Sequence, residues 1–270
     1  MKTVRYFFTL IFVFFLISVS TGQDKTKHAL VIGIDGVLVD GLLAADTPVM
    51  DSLANAGAFS WDAFAGGVLG EASQQATSSG PGWSSILTGV WLDKHNVPNN
   101  DFTEPNYAEY PHFFQRIKEK RPEAYLSSIV NWAPINDKIL RAADHKARGN
   151  DIEVAQLATQ HLQNKNPDVL FLHFDEVDGA GHKNGYSAAI PSYTNAITRT
   201  DSLISLVLKA VRDRENYDSE DWLILITTDH GGFKKSHGSQ KAQVRRIFII
   251  ASGKGVRSGE VTPGPGHVVI

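Results

Sequence analysis

The chain has 270 residues, of which 42% are hydrophobic and 20% are charged; this composition excludes a disordered segment and favours one folded domain with a substantial core. The formal net charge of -3 excludes a basic footprint for nucleic acid, so small molecules are the expected partners. Cysteine is absent, which excludes disulfides and thiolate metal sites, so any metal ion must be bound by His, Asp or Glu.

The first 22 residues have the pattern of a cleavable secretory signal. Lys2 and Arg5 precede an apolar stretch over residues 6–19, and small residues follow it. The stretch is shorter than the roughly 20 residues that span a bilayer, but a permanent membrane anchor stays open as an alternative. We predict that the protein is exported, and is periplasmic or secreted, after this signal is cleaved.

Short apolar runs alternate with amphipathic stretches over the rest of the chain, residues 23–270, which we assign to a single domain. Near-continuous apolar runs, typical of buried strands, cover 29–34, 168–174, 222–228 and 246–251. Apolar residues at helical spacing cover 47–56, 110–120, 151–163 and 192–214. This alternation predicts an α/β fold with a mainly parallel central sheet and helices on both faces.

Two other stretches lie outside these runs. Residues 66–82 show neither the apolar pattern of a strand nor the spacing of a helix; they are rich in Gly and Ser and are predicted to form a loop, a kind of segment that often carries function. The last residues form an apolar run that ends at Ile270 without a polar tail. Because termini are usually exposed and frayed, we expect the chain to stop inside its last strand.

Acidic and imidazole groups follow three of the predicted strands directly. In chain order these groups are Asp35, then Asp175 and Asp178, then Asp229 with His230. The carboxyl ends of the strands in an open parallel sheet line one crevice, where ligands bind. The sequence therefore predicts that these groups meet in space.

Several carboxylates in one crevice would raise one another's pKa values unless a cation lay among them. The interleaved histidines favour zinc or a similar transition ion over calcium or magnesium. Two divalent ions would neutralise this many ligands better than one, so we predict two. A lone Asp after a strand is more often a cap, and a lone His is more often structural, so the prediction depends on the joint pattern.

The spacing of the later ligands predicts local structure. Asp178 and His182 are four residues apart, but the glycines between them favour a tight loop over a helix. Asp229 and His230 are neighbours, and both can reach one ion only if the strand ends before them. Two glycines follow and predict such an end. His237 comes next, in the sequence SHG, within reach of the same crevice.

A nucleophile for this chemistry needs a hydroxyl at the start of a helix, where free N–H groups stabilise an anion. The sequence SGPGWSSILTG supplies one in Ser79, because Pro81 suits a first helical turn and Gly80 lets the backbone approach a phosphate closely. An ordinary N-cap serine is the alternative interpretation. Thr77 and Ser78 are the nearest competing hydroxyls.

This set of motifs resembles the alkaline phosphatase superfamily, and within it the type I phosphodiesterase and nucleotide pyrophosphatase branch. The resemblance runs from Ala29 to about Gly255, through VIGIDGV, SGPGWSSILTGV with KHNV, DEVDGAGH, TTDHGG and SHG. It implies a three-layer sandwich with two metal ions. The first ion would be bound by Asp178, His182 and His237, and the second by Asp35, Asp229, His230 and the oxygen of Ser79.

The chain departs from the family pattern at the nucleophile. The resemblance leads us to expect Thr where Ser79 stands, and Asn three residues later, where Gly82 stands, to hold a phosphate oxygen. The phosphate site therefore loses a donor or takes it from elsewhere. We assign Gly80 and Gly82 to the substrate-binding surface. Trp83 stands where the related sulfatases carry Arg, which disfavours a sulfatase.

The resemblance implies metal-dependent hydrolysis of phosphate esters, of the phosphodiester or nucleotide pyrophosphatase type, through a phosphoserine intermediate. A phosphomonoesterase, a phosphonate hydrolase and a non-catalytic secreted binding protein on the same fold stay open as alternatives. Of the other aromatic and imidazole residues, His173 is predicted to lie in the core. Trp83 and Trp132 are predicted to serve packing.

Overall fold

Within residues 25–262, which the computed structural model describes, eight strands form one sheet. The predicted signal, residues 1–22, lies outside this range. The strands in chain order are β1 Thr26–Ile34, β2 Ala58–Phe64, β3 Leu126–Val130, β4 His145–Arg148, β5 Val169–Phe174, β6 Glu220–Thr227, β7 Arg246–Ser252 and β8 Gly259–Glu260.

The sheet has the strand order β4-β3-β5-β1-β6-β7-β2-β8. Strands β4, β3, β5, β1 and β6 are all parallel to one another, whereas β7 pairs antiparallel with both β6 and β2. The mainly parallel α/β fold is therefore confirmed. The carboxyl ends of β5, β1 and β6 lie side by side at one edge of the sheet.

Helices cover both faces of the sheet, as predicted. They are α1 Val39–Ala44, α2 Pro48–Ala56, α3 Ser79–Thr88, α4 Leu92–His95, α5 Phe113–Lys120, α6 Asp151–Asn164, α7 Glu176–Asn184, α8 Pro191–Arg212 and α9 Ala242–Arg245. One layer contains α1, α2, α6 and α7 packed around α8. No helix in the described part of the chain has both the length and the apolar character to cross a bilayer.

Alternate residues of the central strands point into two separate cores, because side chains along a strand alternate between faces. Leu170 and Leu172 of β5 belong to the core beneath α6 and α8. Phe171, between them, packs in the opposite core with Leu87 of α3 and Phe114 of α5. Burial on both faces accounts for the continuous apolar runs in the sequence.

Of the four apolar runs that the sequence analysis assigns to buried strands, the run at 246–251 lies in β7, which is antiparallel to its neighbours. The connection from β6 to β7 contains only loops and the short helix α9, and it stays at the edge where β6 ends. A parallel strand needs a crossover that returns the chain to the other edge. The chain therefore enters β7 from the carboxyl end of β6 and runs back.

The segment that follows β1 is fixed by hydrogen bonds from helix α8 and from Thr228, directly after β6. The Tyr193 hydroxyl of α8 accepts the Leu38 N–H at 2.7 Å and donates to the Gly36 carbonyl at 2.7 Å. The Val37 N–H donates to Thr228 Oγ1 at 3.0 Å. These bonds hold the chain next to Asp35 in one conformation.

Removing this hydroxyl tests how much the segment depends on it. We expect Tyr193→Phe to lower the free energy of unfolding by about 1 to 3 kcal/mol, because the buried Leu38 N–H loses its acceptor. Chemical denaturation measures the change. Tyr217→Phe, at an exposed ring, is the matched control, and equal stability losses in the two variants would contradict this interpretation.

Candidate metal centre

The adjacent carboxyl ends of β5, β1 and β6 bring the predicted groups into one crevice. Asp35 directly follows β1, and Asp175 directly follows β5. Strand β6 ends at Thr227, two residues before Asp229, so the predicted strand end is confirmed. Asp229 and His230 consequently lie outside the pleat of the strand, where both side chains can turn toward the same point.

Asp35, Asp229 and His230 form one cluster, called here the buried ligand group. His230 Nε2 lies 3.5 Å from Asp35 Oδ1 and 3.3 Å from Asp229 Oδ2, and no side chain of the three is more than 1% exposed. Within the described residues, none of these three atoms has a hydrogen-bond partner. An unpaired buried polar group costs about 1 to 3 kcal/mol, so their convergence fits the coordination of a cation.

The second oxygen of each carboxylate in this group is occupied by hydrogen bonds. Asp35 Oδ2 accepts from Trp83 Nε1 at 2.9 Å and from His173 Nε2 at 3.1 Å. Asp229 Oδ1 accepts from the Gly36 N–H at 3.2 Å. Each carboxylate is thus held by one oxygen and presents the other to the crevice. This arrangement is typical of metal ligands that are oriented by a surrounding shell of donors.

Asp178, His182 and His237 form a second cluster, called here the outer ligand group. His182 Nε2 lies 3.2 Å from Asp178 Oδ2 and 3.1 Å from His237 Nε2. His237 Nε2 lies 3.9 Å from Asp178 Oδ1. The Tyr186 hydroxyl donates to Asp178 Oδ1 and fixes this carboxylate. The outer group adjoins the buried one, because the rings of His230 and His237 stack at 4.0 Å.

The three histidines of the two groups share one orientation. In each of them Nδ1 lies against a backbone carbonyl oxygen: His182 on Lys235 at 3.0 Å, His230 on Gly231 at 2.9 Å and His237 on Thr77 at 3.1 Å. A carbonyl only accepts, so each Nδ1 carries the proton and each Nε2 presents a lone pair. Lone pairs that face carboxylates and one another repel, whereas a cation between them would be bound by all of them.

The pKa values of the clustered carboxylates and histidines reflect the same lack of a compensating positive charge. Burial raises the pKa of Asp229 well above its ordinary value, and the charges of Asp35 and Asp178 raise it further. Burial also raises the pKa of Asp178 and lowers that of His237 to about 4. Burial would raise the pKa of Asp35 too, but opposing effects, of which the hydrogen bond from His173 is the largest, bring it below its ordinary value. A divalent cation would favour the charged form of every carboxylate here.

The first turn of α3 lies against both ligand groups and contains Ser79 as its first residue. A Cβ atom on Gly82 would lie 2.8 Å from Asp229 Cβ, so the helix touches the buried group there. On the other side of Ser79, the Thr77 carbonyl contacts His237 of the outer group. Ser79 is thus flanked by contacts to each group. The Thr77 hydroxyl itself donates a hydrogen bond to the Ser239 carbonyl oxygen at 2.8 Å.

Asn100 lies beside this turn, and no motif in the sequence identifies it. Its Oδ1 accepts the Gly80 N–H at 2.7 Å. The carboxamide NH₂ group is therefore fixed next to the residue that follows Ser79. Gly80 allows this contact, because a Cβ there would meet Asn100 Oδ1 at 2.8 Å and the Asn99 carbonyl at 2.6 Å. The only local signal in the sequence is a polar turn, which does not identify a site residue.

The predicted tight loop at Asp178 and His182 is wrong, because both residues lie in helix α7. They share one face of the helix at a spacing of four residues. Gly181 is required by packing: a Cβ there would lie 2.3 Å from the Tyr186 ring. The cost of a helical glycine, about 1 kcal/mol, is offset by that packing.

The roles predicted for His173 and Trp83 were incomplete. Both are fully buried, as core residues are, but both also donate hydrogen bonds to Asp35. The Trp83 ring lies over Gly33 of β1, where a Cβ would be 2.3 Å from it. The polar side chain of His173 near the end of a buried strand could have indicated a role in the site. Nothing in the sequence indicated that the indole N–H of Trp83 binds Asp35.

Comparison with known proteins places the chain among metalloenzymes. The model of the Metalloenzyme superfamily matches residues 20–267, and no curated protein sequence matches. Similar solved structures include BT1596, a 2-O GAG sulfatase, with a TM-score of 0.67 and 14% identity over 87% of this chain and 65% of that one. The chain therefore spans less than two thirds of that sulfatase.

Two further structures share the fold. One is murine ectonucleotide pyrophosphatase/phosphodiesterase 5, with a TM-score of 0.57 and 15% identity over 84% of this chain and 79% of that one. The other is a protein of the alkaline phosphatase superfamily from Vibrio parahaemolyticus, with a TM-score of 0.60 and 12% identity over 88% of this chain and 62% of that one. At such identities the likeness concerns the fold alone.

Metal binding by the buried group can be measured directly. We expect the wild-type protein to bind two equivalents of zinc and Asp229→Asn to bind about one, because the amide removes a ligand and a charge at nearly constant volume. Elemental analysis after removal of free metal gives the ratio. Asp213→Asn, at the exposed end of α8, is the control, and an unchanged ratio in Asp229→Asn would contradict the assignment.

Proposed function

The chain belongs to the Metalloenzyme superfamily, and on that basis we propose that it hydrolyses phosphate esters at a two-metal site. The proposed substrates are small molecules of the phosphodiester or nucleotide pyrophosphatase type. The proposed reaction passes through a covalent phosphoserine at Ser79. Export after cleavage of residues 1–22 belongs to the same proposal.

The observation that carries the proposal is the convergence of three buried, unpaired ligand atoms: Asp35 Oδ1, Asp229 Oδ2 and His230 Nε2. Their mixture of carboxylate and imidazole favours zinc. One divalent ion would be held by the buried group with the Ser79 oxygen, and the other by the outer group. When bound, the ions supply Lewis-acid charge that acidifies a hydroxyl and neutralises phosphoryl oxygens.

Ser79 is the proposed nucleophile. The Ser79 hydroxyl loses its proton, its oxygen attacks phosphorus to form the Ser79 O–P bond, and the bond from phosphorus to the leaving oxygen breaks; the leaving oxygen departs with the electron pair and takes up a proton. Water then attacks the same phosphorus, the Ser79 O–P bond breaks, and a proton from the water returns to Ser79, so that phosphate monoester or phosphate is released. Two in-line displacements give net retention of configuration at phosphorus.

The proposed phosphate contacts lie at the start of α3. The NH₂ group of Asn100, fixed by the Gly80 N–H, is the proposed donor to a nonbridging phosphate oxygen. It would supply the donor that the sequence lacks at Gly82, where contact with Asp229 leaves no room for a side chain. A nucleotide-type phosphate as substrate is supported by the complex of murine ectonucleotide pyrophosphatase/phosphodiesterase 5 with AMP.

Ester hydrolysis in zinc-replete buffer tests the nucleophile. We expect Ser79→Ala to reduce turnover of a bis-aryl phosphate about 10³-fold or more, because water must replace a positioned nucleophile. Acid-quenched wild-type protein should carry phosphate on Ser79, detected by peptide mass spectrometry. Ser202→Ala, on the exposed side of α8, is the control.

A panel of substrates then separates the alternatives. Rates on bis-aryl phosphate, aryl phosphate, aryl phosphonate monoester and aryl sulfate are compared with the same zinc-loaded protein. The highest kcat/KM on the diester supports the proposal, and a preference for one of the others replaces it with the corresponding hydrolase. Zinc binding without turnover of any of the four would identify a binding protein.

The contribution of Asn100 is measured by Asn100→Ala. We expect kcat/KM for the preferred ester to fall about 10²-fold, the effect typical of one lost donor to a developing anion, with zinc content unchanged. Asn164→Ala, at the end of α6 and at the opposite edge of the sheet, is the control. Wild-type kcat/KM in Asn100→Ala would exclude this residue from phosphate binding.

A further inference from the structure

The carboxylate of Asp35 is held by two donors from different elements. Trp83 of α3 and His173 of β5 both donate to Oδ2, at 2.9 and 3.1 Å. The other oxygen, Oδ1, faces His230 Nε2 at 3.5 Å. Two bonds to one oxygen fix both the position of the carboxylate and its rotation about the Cβ–Cγ bond. Asp35 therefore presents Oδ1 in a single direction.

The surroundings of Nδ1 indicate that His173 donates the hydrogen bond between its Nε2 and Asp35 Oδ2. The Trp132 N–H points at His173 Nδ1 at 3.4 Å, which favours a lone pair there and a proton on Nε2. His173 pairs with Gly33 in the register of β5 and β1, two residues before Asp35. Since its Nε2 proton is used in the bond to Asp35, His173 is a donor to a ligand rather than a ligand itself.

Trp83 connects Asp35 to the proposed nucleophile. It lies four residues after Ser79 in α3, so both side chains lie on the same side of this helix. The Trp83 ring packs on Gly33 and meets the His173 ring edge-on, with centroids 5.0 Å apart. Sliding or rotation of α3 would break the indole hydrogen bond. The bond thus fixes the place of Ser79 relative to Asp35.

We propose that Trp83 and His173 are positioning residues, which aim Asp35 Oδ1 at the cation of the buried group and fix the nucleophile helix to the same carboxylate. This inference rests on the proposed function of that group.

The test is Trp83→Phe, which keeps an aromatic ring and removes the N–H donor. Trp222→Phe is a matched control, because Trp222 Nε1 also donates to a buried carboxylate, Glu220 Oε2 at 2.7 Å, at the opposite edge of the sheet. The measurements are the zinc Kd by chelator competition, kcat and KM on the preferred ester, and the melting temperature with chelator present.

We expect Trp83→Phe to weaken zinc binding and lower kcat, each about 10- to 100-fold, with KM nearly unchanged, as for lost support of a ligand. Trp222→Phe should lower only the melting temperature. His173→Gln, which keeps an N–H donor, should retain more zinc affinity than His173→Leu. If Trp83→Phe matched Trp222→Phe in zinc Kd and kcat, both residues would be purely structural.

These outcomes are distinct from a failure of the proposed function. If wild-type protein binds zinc and turns over an ester that Ser79→Ala does not, the proposed function holds whatever Trp83→Phe does. If wild-type protein binds no zinc, both the proposed function and the positioning roles are wrong.

Discussion

The mutual repulsion of Asp35, Asp178 and Asp229 in one water-poor crevice is the constraint around which the sheet edge is organised. Burial and neighbouring charge raise the pKa of two of them, Asp178 and Asp229. The fold brings them together because β5, β1 and β6 are adjacent and parallel. A chain selected for stability alone would place apolar side chains at these strand ends, so the cost of this arrangement is itself an argument for function.

Close packing around the crevice keeps the ligands from relaxing apart. The Tyr186 ring lies where a Cβ of Gly181 or Gly232 would be, at 2.3 and 2.1 Å, and its hydroxyl holds Asp178. Gly36, with a φ of 67°, brings its N–H to Asp229 and leaves room for Asp178. The glycines of the sequence motifs therefore leave the space that neighbouring side chains need to pack closely together. Interiors packed in this way deform little, so the ligand positions are preset.

The sequence predicted that the acidic residues at the strand ends converge, but not the groups that hold them in place. Asp35 and Asp229 could be placed because apolar runs define where parallel strands end. The helix at Asp178 could not be predicted, because Gly181 suggests a loop when only the sequence is known. The glycine is needed instead for packing against the ring of Tyr186, which lies in the segment after the helix. Asn100 lies 20 residues after Gly80, two residues before the buried Phe102 with its φ of 53°, and local sequence does not predict that the chain returns there. Hydrogen bonds between distant elements, such as Trp83 to Asp35, likewise leave no periodic pattern.

The two ligand groups differ in their access to solvent, and this difference suits different tasks. The side chains of the buried group are at most 1% exposed, whereas His182 of the outer group is 46% exposed. A cation in the buried group would be shielded from water, and the side chains that hold it are themselves fixed by hydrogen bonds. This suits the proposed role of orienting Ser79 throughout the reaction. A cation in the outer group would stay open to solvent on the His182 side, which suits the exchange of leaving group for water in the proposed reaction. The asymmetry of burial thus fits the proposed double displacement, in which Ser79 stays in place while water replaces the leaving group.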